Sequence, residues 1–324
     1  MVKLASAEMA EKKLATRAAF GATLAELAEE GVPVVAVDAD LTGSTTTKKF
    51  AAAAPENADK LFNCGIAEQN MIDVAAGLAL TGHVAYTGSF AVFGTGRAYD
   101  QIRNTVCYSN LDVKICPTHA GVSVGPDGGS HQMLEDVSLM RGLPNMRVLV
   151  PADYAAARAA IKLAAKTPGP VYVRMGRAAV PCVYDDDVEL ELGRAYVLRE
   201  GTDATVVACG VEIREALAAA DVLAEEGISI EVIDAFSVKP LDEDTITASV
   251  AKTGCCVVAE EHSVHGGLGS AVAECLARKN PAPCEFVGVQ DRFGKSGEFE
   301  ELLGYFNLDA AAIVEAVKRA QGRK

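Results

Sequence analysis

The 324-residue sequence predicts an α/β protein with two doubly wound domains, each built on a mostly parallel sheet. Short apolar runs alternate with helix-period segments from one end of the chain to the other. Such an alternation requires crossover connections, which place helices on both faces of a parallel sheet. Half of the residues are hydrophobic, which supplies material for two large cores and excludes a disordered chain.

Five apolar runs in the first 180 residues have the length of buried strands. They are residues 34–38, 83–88, 113–118, 147–150 and 171–175. Helices are predicted between them at residues 66–80, 97–109, 131–141 and 152–165. These elements predict a first domain over residues 1–180.

The alternation breaks after Arg177, where a proline and a run of three aspartates lack helical periodicity. We therefore expect a linker at 181–194 and a second domain at 195–324. Its predicted strands are residues 205–209, 229–234, 255–261 and 284–289, and its predicted helices are residues 211–226, 242–252, 267–279 and 309–321.

The net charge, the hydropathy and the cysteine content limit the classes of partner and the cellular compartment that can be expected. Forty-four acidic against 30 basic side chains give a net charge of −14, which argues against a nucleic-acid partner but not against small anionic substrates. No run of 18 apolar residues predicts a membrane span, and the N-terminus lacks the apolar block of a signal peptide. Nine cysteines without a Cys-x-x-Cys pair are typical of reduced thiols, so we expect a cytoplasmic protein.

Ligands of open α/β sheets bind beyond the carboxyl ends of the strands. One candidate there is Glu68, which lies near the start of a predicted helix. Its carboxylate could simply stabilise the helix N-terminus. Alternatively, with Ile66 and Met71 as apolar neighbours, it could exchange a proton with a ligand nitrogen.

Residues 118–132, named here the histidine loop, follow another strand. The loop holds His119, Asp127 and His131 together with four glycines. Glycines let a ligand approach the backbone closely, and unperturbed histidine titrates near neutral pH. A polar surface loop with incidental histidines is the alternative, but the position and the composition of the loop together favour a binding site. A metal site is not predicted, because 12 residues separate the two histidines and no cysteine is near.

Three further sets of residues have two interpretations each. Phe90 and Phe93 are either core residues or an aromatic shelf for a heterocycle. Arg17, Ser44 and Arg174 either bind a phosphate or are ordinary surface and salt-bridge residues. The glycine turn at 262–274 lacks the third glycine of a dinucleotide site, so His262 and His265 are expected to be structural or interface residues.

Six motifs, taken together and in order, resemble the thiamine-diphosphate-dependent transketolase family, specifically its pyrimidine-binding and C-terminal domains. The resemblance covers nearly the whole chain. The motifs are DLTGS (40–44), GIAEQNM (65–71), SFAVF (89–93), HAGVSVGPDGGSHQ (119–132), LPNMRVLVPAD (143–153) and EEHSVHGGLGS (260–270).

The resemblance implies roles for the cofactor site. Glu68 matches the glutamate that contacts the aminopyrimidine ring nitrogen of thiamine diphosphate and so promotes loss of the thiazolium C2 proton. Phe93 matches the aromatic residue that stacks on the pyrimidine, with Phe90 beside it. Asp40 and Ile66 are expected to contribute to cofactor binding. A tyrosine often follows the stacking phenylalanine by three residues, but Gly96 stands there in this chain.

The resemblance also implies roles at the substrate. His119 and His131 match histidines that contact sugar oxygens and assist proton transfers, and Asp127 matches an aspartate that recognises a sugar hydroxyl. A second set of residues matches positions that hold the sugar phosphate; these are Arg17, Ser44 and Arg174.

One family motif is missing. The Gly-Asp-Gly sequence that helps to hold magnesium and the diphosphate occurs nowhere in the 324 residues. The resemblance therefore implies the C-terminal subunit of a split transketolase of the pentose phosphate pathway, inactive alone. The Mg2+ ligands and the Gly-Asp-Gly motif are expected from a separate N-terminal subunit, in a dimer of heterodimers.

Three rival interpretations remain. The chain could be the beta subunit of a 2-oxo-acid dehydrogenase or a relative of deoxyxylulose-phosphate synthase. The motif GIAEQ slightly favours these two enzymes, whereas His119 and the candidate phosphate-binding residues favour transketolase. A regulatory subunit that has lost catalysis would have no physical need for the set of residues around Glu68.

Overall fold

The structure, a computed structural model, describes residues 2–324. The first part of the chain contains eight strands and eight α-helices. The strands are β1 (Lys13–Ala15), β2 (Val34–Asp38), β3 (Leu61–Asn63), β4 (Val84–Gly88), β5 (Val113–Ile115), β6 (Arg147–Leu149), β7 (Val171–Val173) and β8 (Ala179–Pro181). The helices are α1 (Ala7–Ala10), α2 (Ala18–Glu29), α3 (Thr47–Ala53), α4 (Pro55–Ala58), α5 (Glu68–Leu80), α6 (Tyr99–Gln101), α7 (Asp136–Arg141) and α8 (Tyr154–Lys166).

The second part of the chain continues the alternation. Its strands are β9 (Tyr196–Arg199), β10 (Ala204–Ala208), β11 (Ile230–Asp234), β12 (Ser237–Lys239), β13 (Cys256–Ser263) and β14 (Cys284–Val289). Its helices are α9 (Glu212–Glu225), α10 (Glu243–Thr253), α11 (Leu268–Lys279), α12 (Phe299–Phe306) and α13 (Ala310–Gln321).

The strands form two large sheets and one small one. The seven-stranded sheet has the order β12-β6-β7-β5-β4-β2-β3, and all its neighbours are parallel except β12 and β6. The five-stranded sheet has the order β14-β13-β10-β11-β9, in which only β9 runs antiparallel. β1 and β8 form a two-stranded antiparallel sheet.

The central strands are buried on both faces, which explains their continuous apolar runs. In β2, Val34 and Ala36 share a core with residues of α2 and α8, whereas Val35 and Val37 share the opposite core with residues of α5. In β10, Val206 lies in the first of these cores and Val207 in the second. This arrangement of helices on both faces confirms the predicted doubly wound α/β class.

Several boundaries differ from the sequence prediction. The helix predicted at 131–141 begins only at Asp136, because the residues before it belong to the histidine loop. The helix predicted at 97–109 consists of α6 flanked by the π-helical segments Val92–Arg97 and Ile102–Cys107. The three-residue strand β12 joins the sheet of the first part of the chain, and so short a segment has no periodicity by which it could be predicted.

Two further predictions concern the surface and the thiols. Within residues 2–324, no helix has the length and apolar character needed to cross a membrane. All nine cysteines are free thiols; seven are buried, and Cys64 and Cys284 are partly buried.

Candidate active site

The candidate residues lie where parallel strands end. The segments that follow β2, β3, β4 and β5 carry Ser44, Glu68, Phe90 and His119 respectively. Because β3, β2, β4 and β5 are consecutive parallel neighbours, these segments meet at one edge of the seven-stranded sheet.

Glu68 is the first residue of α5, and its side chain is only 1% exposed. Its Oε2 accepts a 2.6 Å hydrogen bond from a guanidinium nitrogen of Arg97. No hydrogen bond from residues 2–324 reaches its Oε1. Arg97 ends the π-helical segment Val92–Arg97, and such wide turns occur frequently at functional sites. The carboxylate therefore has one fixed oxygen and one oxygen open to a ligand.

An aromatic cluster adjoins this carboxylate. The rings of Phe90 and Phe93 lie 6.2 Å apart and nearly parallel. His119 stacks on Phe90 at 3.7 Å, and His131 meets the ring of Phe93 edge-on at 5.4 Å. Since His119 already covers Phe90, the ring that could receive a heterocycle is Phe93, over which Arg97 lies at 4.5 Å.

His119 is a buried, neutral imidazole. Burial, together with the nearby cations Arg17 and Arg177, lowers the pKa of His119 to about 3. Arg17 can only donate, so its 3.4 Å contact assigns the lone pair to Nε2 and the proton to Nδ1. In this tautomer Nδ1 donates a 2.6 Å hydrogen bond to Thr118 Oγ1. The hydrogen-bond acceptor of this neutral ring is therefore Nε2, on the side of Arg17.

Two arginines create a cationic region beside His119. Arg17 donates a 2.9 Å hydrogen bond to the Ser44 carbonyl, which ties the start of α2 to the segment after β2. Burial and the neighbouring Arg177 lower the pKa of Arg17, while Asp127 opposes this shift. Neither arginine forms a salt bridge within residues 2–324, so both guanidinium groups remain available to an anion.

The structure corrects the prediction that Arg174 binds a phosphate. The Arg174 guanidinium is buried, donates 2.7 and 3.3 Å hydrogen bonds to Asp136 and donates another to the Glu261 carbonyl. Burial disfavours its charge, but Asp136 and Glu261 outweigh this and raise the pKa of Arg174. Arg177, three residues later, is the arginine that faces the site, and sequence analysis missed it. The sequence signal for Arg177 was its position in the segment after β7, outside the apolar run of residues 171–175.

The remaining candidates lie at the rim or elsewhere. Asp40, which is exposed, and Ile66, which is 78% exposed, lie just beyond β2 and β3. Asn63 joins these two segments by accepting the Asp40 and Gly65 amides. His262 is buried, and its Nε2 accepts a hydrogen bond from the Ser138 amide.

The donor set fits an aminopyrimidine ring. Such a ring presents a flat face and ring nitrogens, and the site supplies the Phe93 face beside the open oxygen of Glu68. In this structure the planar guanidinium of Arg97 makes both kinds of contact, since it lies over the Phe93 ring and donates to Glu68 Oε2. Within residues 2–324, no cluster of three or more His, Cys, Asp and Glu side chains is arranged to hold a metal ion.

Two family models and several known proteins are similar to this chain. The model of the transketolase pyrimidine-binding domain matches residues 12–183, and that of the transketolase C-terminal domain matches residues 193–313. A putative transketolase C-terminal section from Methanocaldococcus jannaschii is 45% identical, covering 93% of this chain and 94% of that protein. A 6-deoxy-6-sulfo-D-fructose transketolase subunit of a Clostridium species is 42% identical over 93% and 92% of the two chains. A solved structure of a split-gene transketolase, described as an inactive beta4 tetramer, is 48% identical with a TM-score of 0.87, covering 96% and 99%.

Proposed function

Because the chain belongs to the transketolase family, we propose that it is the C-terminal subunit of a split transketolase that transfers a two-carbon ketol unit between sugar phosphates. The two family matches confirm the resemblance that the six motifs indicate. The observation that carries the proposal is the buried Glu68 carboxylate beside Phe93, at the same sheet edge as His119 and the two free arginines.

The cofactor side of the proposal assigns a task to each residue. Thiamine diphosphate, when bound, supplies a nucleophilic thiazolium carbon that takes up and releases the two-carbon unit. Glu68 holds or moves a proton at the aminopyrimidine nitrogen through its free Oε1. Phe93 supplies the apolar face and excludes water, and Arg97 keeps the carboxylate in place. Phe90, Asp40 and Ile66 contribute from the margin of the pocket.

The substrate side uses the cationic region. Arg17 and Arg177 bind the anionic end of the sugar, with Ser44 beside them. Asp127 accepts a hydrogen bond from a sugar hydroxyl. His119, which is neutral, accepts a hydrogen bond from a sugar hydroxyl, and His131 assists from the edge of Phe93.

The need for a partner subunit follows from the motif that the sequence lacks. A magnesium diphosphate requires hard oxygen ligands in near-octahedral geometry, and the sequence contains no Gly-Asp-Gly motif. We assign these ligands to an N-terminal subunit in a cytoplasmic dimer of heterodimers. The similarity to a protein described as an inactive tetramer of one chain type supports this division.

The site residues support the type of reaction more strongly than they support any one donor sugar. The Clostridium relative is named for a sulfonated sugar, and a pair of guanidinium groups binds sulfonate and phosphate by the same hydrogen bonds. The two arginines favour these sugars over the short 2-oxo acid of a dehydrogenase beta subunit. Assays with a ketose phosphate, a sulfonated ketose and pyruvate distinguish the three.

The test of the function is reconstitution. We expect the purified chain mixed with its N-terminal subunit, thiamine diphosphate and Mg2+ to transfer ketol units, and each chain alone to be inactive. Glu68→Ala should abolish transfer, whereas Glu56→Ala, at the exposed first turn of α4, should not. Ketol transfer by this chain alone, or near-normal transfer by the Glu68→Ala complex, would contradict the proposal.

A further inference from the structure

The histidine loop is in contact with a glycine-rich segment from the far end of the chain. Residues 294–297, named here the glycine segment, lie between β14 and α12. A Cβ atom at Gly129 would lie 2.7 Å from the Gly294 carbonyl oxygen, and one at Gly128 would overlap the Ser296 hydroxyl. The two backbones can therefore approach this closely only because glycines occupy these positions.

Gln132 joins the two segments from within the histidine loop. Its Oε1 accepts a 2.7 Å hydrogen bond from the Lys295 amide, and its Nε2 donates a 2.9 Å bond to the Lys295 carbonyl. The same Nε2 donates a 3.0 Å bond to the Val122 carbonyl inside the loop. The Gln132 side chain is 4% exposed, so its amide forms hydrogen bonds with the backbone of a distant segment instead of with water.

A second contact from the same part of the chain supports the start of the loop. The Glu261 carboxylate, at the end of β13, accepts a hydrogen bond from the Ser123 amide. It also fills the space beside Gly121, where a Cβ atom would overlap it. Arg174, which is bound to Asp136 and to the Glu261 carbonyl, fixes β13 against the first sheet.

We propose that the C-terminal domain positions the histidine loop for the substrate, with Gln132 as the positioning residue that fastens the loop to the glycine segment. Gln132 lies next to His131 in the chain and five residues after Asp127, so its bonds determine where these side chains lie. Glu261 holds the other end of the loop, after His119. The consequence for sugar binding rests on the proposed function, whereas the fastening itself does not.

The first test uses the isolated chain and hydrogen exchange of peptides from residues 119–132. Gln132→Leu removes the three bonds and should accelerate exchange about tenfold, since each lost buried bond weakens protection. Gly294→Ala, which places a methyl group against the Gln132 amide, should give a similar acceleration, and the double variant should add little to either. Lys295→Ala is the matched control, because only the Lys295 backbone takes part. Unchanged exchange in both Gln132→Leu and Gly294→Ala would overturn the proposal.

The second test uses the assembled enzyme. Gln132→Leu should raise the KM for the sugar about tenfold, while the affinity for thiamine diphosphate stays at the wild-type value. A fall in cofactor affinity equal to the rise in KM would mean general loosening and would overturn the positioning role. If the wild-type assembly transfers no ketol unit, the proposed function fails, and hydrogen exchange alone then decides the fastening.

Discussion

Arg97 donates a 2.6 Å hydrogen bond to Glu68 while its guanidinium lies 4.5 Å from the centre of the Phe93 ring. One cation thus contacts both features that are proposed to receive the aminopyrimidine. Because it binds only Oε2 of Glu68, it orients the carboxylate without using the second oxygen.

Removal of this cation should destabilise the isolated chain. Arg97→Leu leaves a buried carboxylate without its partner, and we expect a loss of about 1–3 kcal/mol in the free energy of unfolding, measured with urea. Adding Glu68→Gln to the variant should restore part of the loss. Arg103→Leu, at an exposed arginine nearby, is the control. Equal stability of the Arg97→Leu variant and wild type would show that the pair does not hold Glu68.

The two arginines after β7 should respond differently to the same substitution. Arg174→Met leaves Asp136 and Glu261 buried without their cation, so we expect a loss of about 3–5 kcal/mol in unfolding free energy. Arg177→Met should change stability by less than about 0.5 kcal/mol, since its guanidinium forms no salt bridge in residues 2–324. It should instead raise the KM for the sugar phosphate in the assembled enzyme. The reverse pattern of stabilities would contradict the buried ion pair of Arg174 with Asp136.

The buried His119 should make the free energy of unfolding depend on pH. Burial lowers the pKa of His119 to about 3, below the ordinary value of 6.5, so the unfolded chain binds this proton before the folded chain does. The contribution is fully present above pH 6.5 and is lost as the pH falls toward 3. His119→Asn removes the titrating group and tolerates the positive φ of 63° at this position.

The measurement is the difference in urea unfolding free energy between wild type and His119→Asn. We expect this difference to be constant above pH 6.5. Between pH 6.5 and pH 4.5, the unfolding free energy of the wild type should fall steadily relative to that of His119→Asn. A difference that does not vary with pH over this range would mean that the folded and unfolded rings bind protons equally.

Thiol labelling tests the burial of the sheets. Cys64 and Cys284 are partly buried and the other seven cysteines are buried, so an excess of a thiol reagent should modify at most two groups quickly in the native chain. Burial and, to a lesser extent, Asp38 raise the pKa of Cys64, which should make its reaction slower than that of a free thiol in solution. All nine should react in denaturant. Fast native labelling of Cys256, in β13, or of the buried Cys209, which directly follows β10, would contradict the fold.

The sequence predicts the parts of the site that lie in local patterns. The runs that become β2, β4 and β10 are apolar because both faces are covered, and Glu68 follows a turn at a predicted helix start. The histidine loop is recognisable from its glycines and histidines alone. These features depend on neighbours within a few residues, so a linear pattern contains them.

Features that depend on distant partners could not be predicted in this way. Arg174 and Arg177 stand three residues apart, and only the tertiary fold places Asp136 and Glu261 beside the first. The bond from Arg97 to Glu68 spans 29 residues, and those from Gln132 to the backbone of Lys295 span 163. No periodicity records such pairs, because each is created when strands from separate parts of the chain become neighbours.

The measurement that tests the central claim most directly is calorimetric titration of thiamine diphosphate with Mg2+ into this chain alone and into its equimolar mixture with the N-terminal subunit. We expect saturable binding only in the mixture, and a clear loss of affinity when the mixture contains Glu68→Ala. Full-affinity binding by the isolated chain would contradict a cofactor site divided between two polypeptides.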